Sequence, residues 1–122
     1  MKRSIIARSI LLLGLSASIT GCTQAAKVCD LICTCEHCND QDKVEYCNDL
    51  ETAYDVADAY ACGDAWNAYM VCFEERGTCD ETEARFSVRN DAGENRCQKE
   101  EDAYLDCVTD ASAHDGSDGN FN

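Results

Sequence analysis

Three segments of the chain repeat one spacing of apolar and polar positions. Cys47-Asn-Asp-Leu-Glu-Thr-Ala-Tyr54-Asp-Val-Ala57, Cys62-Gly-Asp-Ala-Trp-Asn-Ala-Tyr69-Met-Val-Cys72 and Cys97-Gln-Lys-Glu-Glu-Asp-Ala-Tyr104-Leu-Asp-Cys107 each place Ala-Tyr six and seven residues after the first cysteine. Position ten is cysteine in two of them and Ala57 in the first. At 3.6 residues per turn, the tyrosine returns to the cysteine's face and position ten falls close to the same stripe. The spacing therefore predicts three amphipathic helices whose cysteine and tyrosine positions face a core, with Leu50, Trp66 and Leu105 adding apolar area.

Local chemistry sets the expected boundaries. Asp42-Lys-Val-Glu45 and Asn95-Arg-Cys-Gln98 read as capping boxes, Gly63-Asp64 as a break with a fresh N-cap, and Gly77 as a stop. Helices are expected at about 42–61, 64–76 and 96–109, with one long helix across 61–64 as an alternative. The 78–94 connection is polar, and Arg85-Phe86-Ser87-Val88-Arg89 alternates as a short strand would. Residues 110–122, rich in Asp, Ser, Gly and Asn, read as a disordered tail. The expected fold is all-α: a small disulfide-stapled three-helix bundle over 29–109 with a cysteine-rich N-terminal segment.

The N-terminus has a different pattern. Lys2, Arg3 and Arg8 precede the apolar run Ile10-Leu11-Leu12-Leu13-Gly14-Leu15, which is short of the ~20 apolar residues that a membrane span requires. It ends in Ile19-Thr20-Gly21-Cys22: an aliphatic residue, two small ones and a cysteine. This segment resembles the signal peptide and lipobox of bacterial lipoproteins, in the small cysteine-rich Gram-negative group. The resemblance implies removal of residues 1–21 and a diacylglyceryl thioether on Cys22. A third acyl chain of the palmitate type on its amine usually completes the anchor. Two or three chains hold a protein to a bilayer essentially permanently. Thr23, where an Asp implies inner-membrane retention, favours the outer membrane. Residues 22–28 read as a lipidated tether whose Thr23–Lys27 portion reaches roughly 17 Å at ~3.3–3.6 Å per residue.

Cysteine arithmetic agrees. The chain has 11 cysteines, and setting Cys22 aside leaves an even number. An exported chain with so many cysteines reads as a disulfide scaffold. In an up-down-up bundle, antiparallel neighbours bring together Cys62 and Cys107, Cys72 and Cys97, and Cys47 and Cys79. The two C-x9-C helices over 62–107 also resemble the twin C-x9-C hairpins of the coiled-coil-helix-coiled-coil-helix family. The long intervening loop and Cys79 depart from that pattern, and no function is carried across.

Charge excludes one class of partner. The leader holds three of the ten basic residues and none of the 24 acidic ones, so the mature chain has seven against 24, a net charge of −17. Such a surface repels nucleic-acid backbones. It favours a basic protein partner, or serves solubility alone.

Candidate chemistry concentrates in Cys29, Cys33, Cys35 and Cys38, with His37 among them. Local or bundle-directed disulfides are one reading. Thiolates plus imidazole for Zn²⁺ or Cu(I) are another, without the paired C-x2-C knuckles of zinc ribbons. The third is redox: Cys35-Glu36-His37-Cys38 resembles the C-x-H-C of thiol–disulfide oxidoreductases, in which the histidine stabilises a thiolate. Here the thioredoxin-like βαβ context is lacking and Glu36 opposes thiolate formation. Asp40, Asp42 and Glu51 fit three EF-hand positions, but Glu45 stands where glycine is needed. No nucleophile elbow, P-loop, HExxH or haem-attachment motif occurs. The reading is a membrane-anchored, non-enzymatic envelope lipoprotein without cofactor or metal. The alternative is a periplasmic thiol-redox or metal-handling protein using Cys29–Cys38.

Overall fold

A computed structural model describes residues 23–115; the leader, Cys22 and residues 116–122 lie outside the described residues. The order is α1 (Gln24–Glu36), α2 (Asp40–Ala59), α3 (Gly63–Arg76), β1 (Thr78–Asp80), β2 (Arg85–Ser87) and α4 (Gln98–Asp115). The protein is a disulfide-stapled helical domain, with four described helices where three were expected.

The added helix occupies the stretch expected to be tether and cysteine cluster. Thr23 caps α1, its hydroxyl accepting from the Ala26 N–H at 3.2 Å. Ala25, Val28, Cys29, Ile32 and Cys33 recur at i, i+3, i+4, i+7 and i+8 and are all buried, with Cys35 beyond them. Residues 23–28 are therefore not a spacer. Val28 and Ile32 join Ala57, Trp66 and Met70 in the core. The helix ends at His37, whose φ of 54° reverses the chain.

The first capping box lies three residues earlier than expected. Asn39 Oδ1 accepts from the N–H groups of Gln41 and Asp42, and the Asp42 carboxylate accepts from the Asn39 N–H at 3.4 Å. Asp42 thus closes the box instead of opening it, and α2 starts at Asp40. Only Ala57 of α2 is fully buried, at the repeat position that cysteine fills elsewhere.

Tyr60–Cys62 separate α2 from α3, which rules out one continuous helix. Ala61 takes a φ of 57°, and the Cys62 N–H donates back to the Ala57 carbonyl at 2.7 Å. Trp66 and Met70 face inward from α3. Gly77 ends it, its N–H donating to the Phe73 carbonyl at 2.9 Å. A Cβ at residue 77 would overlap the Phe86 ring, so glycine is needed for close approach.

The 78–94 connection holds an antiparallel hairpin with Cys79 opposite Phe86. The strand expected at 85–89 is shorter, Arg85–Ser87, and Arg89 instead makes an isolated bridge to Asn95. Asn95 Oδ1 accepts from the Cys97 N–H at 2.9 Å, but in place of a reciprocal bond from Gln98 the Asn95 side-chain amide donates to Glu101 and the Gln98 amide donates to Asp102. Consequently α4 starts at Gln98. It continues through residues 110–115, which were expected to be disordered, because Val108 and Ala111 pack against the core.

The repeat's tyrosines all pack on that core. Tyr54 meets Trp66 edge to face at 5.4 Å, and Tyr69 lies between Phe73 at 5.0 Å and Tyr104 at 6.3 Å.

Candidate functional site

Five disulfides use ten of the 11 cysteines. Cys62–Cys107 and Cys72–Cys97 join antiparallel α3 and α4 with Cα–Cα distances of 5.9 and 5.8 Å. These are the pairings that the up-down geometry predicts. The third expected bridge, Cys47–Cys79, does not form. Cys47 is bonded to Cys29 and Cys79 to Cys35. The reason is α1, which lies between α2 and the hairpin and supplies each with its own cysteine.

The remaining bridge, Cys33–Cys38, closes the turn between α1 and α2. Every cysteine of the 29–38 cluster is thereby oxidised, with partners on α2, on the hairpin and within the cluster. Cys35 and Cys38 belong to different bridges, so Cys35-Glu36-His37-Cys38 is not a single dithiol pair of the oxidoreductase kind. A thiolate metal site would need donors that these bonds consume. Among the described residues, no group of three or more His, Cys, Asp or Glu side chains is arranged to hold a metal ion. His37 is exposed, as the left-handed residue of the turn.

The Cys35–Cys79 bridge borders a groove. Cys79 is exposed on β1, and Lys27, Leu31, His37 and Glu81 line the surface beside it. It is the hairpin's covalent tie to α1. Phe86 adds a hydrogen bond from its N–H to Glu36 at 3.1 Å and stacks on Phe73.

A second groove lies at the head of α1, where Thr23, Gln24 and Ala25 meet Glu51, Tyr54 and Asp55 of α2 and Trp66 and Asn67 of α3. Sequence reasoning missed it because its walls come from a helix taken for a tether. The Ala25, Val28, Ile32 period was the signal that could have found it.

Two phenols are shifted by their surroundings. Burial, and then the charge of Glu101, push Tyr69 up to about 12. The Glu36 carboxylate and then burial raise Tyr46. Both are acids kept protonated, so neither is activated as a nucleophile.

No family model, curated protein or solved structure matches the chain. Among the described residues, no helix is long and apolar enough to cross a membrane.

Proposed function

We propose that the chain is an exported lipoprotein held to the envelope through acyl chains on Cys22, with a stapled helical domain that acts by binding rather than catalysis. One observation carries most of this reading. The bridges use ten cysteines, and the eleventh is Cys22, at the end of the lipobox-like Ile19-Thr20-Gly21-Cys22. Five bridges also suit an oxidising compartment reached by export. Thr23 favours the outer membrane over the inner.

A domain this acidic suits a basic protein partner. Association with such a partner is accelerated by the field, and the effect fades as the Debye length falls from ~10 Å at 0.1 M salt to ~3 Å at 1 M. Metabolic labelling with a fatty acid tests the anchor. Wild type incorporates label and Cys22→Ser does not; equal labelling of both removes the anchor from the account.

A further inference from the structure

Resting on the anchor at Cys22, we infer that the groove at the head of α1 lies against the bilayer and takes the ammonium groups of phospholipid heads. Little chain separates the anchor from the groove. Thr23 is already the N-cap of α1 and lines the groove. Successive Cα atoms are about 3.8 Å apart, so the lipid-bearing residue adjoins the groove's rim. Thirteen residues of α1 at about 1.5 Å each then carry the chain roughly 20 Å away, to the Cys35–Cys79 bridge and the hairpin.

Charge selects the head group. The groove encloses about 410 Å³ and carries the carboxylates Glu51 and Asp55 beside Tyr54, which is packed edge to face on Trp66. Neither carboxylate has a salt bridge among the described residues. From residue 44 to residue 75 the sequence holds no lysine or arginine, so neither α2 beyond its first turn nor α3 before its last residue supplies a cation, and Lys27 of α1 lines the other surface, beside Cys35–Cys79. Arg85 and Arg89 belong to the hairpin region at the opposite end of α1. A positively charged ammonium fits carboxylates and an aromatic ring. A head group with only a phosphate charge is repelled. The anchoring lipid keeps the groove among head groups at high effective concentration, so weak individual contacts suffice to hold the domain down.

The test uses the full lipidated protein reconstituted in vesicles. Trp66 is the sole tryptophan and a groove residue, and thus a built-in donor for energy transfer to a head-group-attached dansyl acceptor. On phosphatidylethanolamine/phosphatidylcholine vesicles the wild type shows strong transfer. Inserting ten Gly/Ser residues between Cys22 and Thr23 adds a root-mean-square span of about 17 Å and lowers transfer roughly twofold or more. On the same phosphatidylethanolamine/phosphatidylcholine vesicles, which carry no net charge, the double variant Glu51→Gln, Asp55→Asn lowers transfer toward the level of the spacer variant, although it also makes the domain less acidic. Flotation separates the failures. Protein that floats yet transfers equally with and without the spacer overturns the docking. Wild-type transfer in that double variant overturns the ammonium assignment. Protein that does not float removes the anchor itself, and the docking with it.

Discussion

Ile32→Ala asks whether α1 is core or tether. Ile32 is 8% exposed, packed in the cluster that holds Val28, Trp66 and Met70. The substitution removes three carbons, worth about 2.4 kcal/mol at ~0.8 kcal/mol per buried group. The cavity left behind adds to this as far as the site fails to collapse, giving an expected loss of about 2.5–5 kcal/mol. Thr34→Ala, on the exposed side of the same helix, should stay within about 0.5 kcal/mol of wild type. The assay is urea unfolding of the detergent-solubilised mature protein with bridges intact, followed by far-ultraviolet circular dichroism and by Trp66 fluorescence. Coincident transitions license the free energies. If Ile32→Ala matches Thr34→Ala, α1 is not part of the core.

Four other outcomes follow from particular contacts. Peptide mapping without reductant should recover Cys29–Cys47, Cys33–Cys38 and Cys35–Cys79; a peptide joining Cys47 to Cys79 would contradict the placement of α1. Under graded reduction Cys35–Cys79 should open first, because Cys79 is exposed while Cys62, Cys72 and Cys97 are buried; earlier loss of Cys72–Cys97 would refute this. Gly77→Ala should cost about 1–3 kcal/mol in the same urea assay, since the new Cβ runs into Phe86, and a neutral result would show that the hairpin does not pack as described. Tyr69 is raised in the folded state to about 12, so the fold holds this proton more tightly than the unfolded chain. Its contribution is therefore complete below about pH 10 and is lost as pH rises through about 12. Ultraviolet titration should show late-ionising tyrosines, Tyr69 and Tyr46, with Tyr69 shifted down in Glu101→Gln, and an unshifted profile in that variant would remove Glu101 as a cause.

The repeat made α2, α3 and α4 readable, because Ala-Tyr at fixed offsets from a cysteine is a direct image of helical periodicity. It also carried the antiparallel pairing of α3 and α4, and so two of the bridges. The ends were less readable. Asn39 and Asp42 satisfy each other's backbone donors, and nothing local distinguishes that box from one starting at Asp42. The extension of α4 depends on tertiary packing of Val108 and Ala111, which composition alone hides under a polar tail. α1 was missed for a different reason. Cys29, Cys33, Cys35 and Cys38 read as a chemical cluster, and cysteine counted as a ligand was not counted as an apolar side chain. Counted that way, Ala25 to Cys33 is as periodic as any helix in the chain. The groove at its head could be found only through that period, since Thr23 and Trp66 are far apart in sequence.

The most direct test of the account is the intact mass of the protein isolated from membranes, alkylated without reduction. The expected product is a chain starting at Cys22, carrying two or three acyl groups there and no alkylated cysteine. An unmodified Cys22, or alkylation at any cysteine between Cys29 and Cys107, would contradict it.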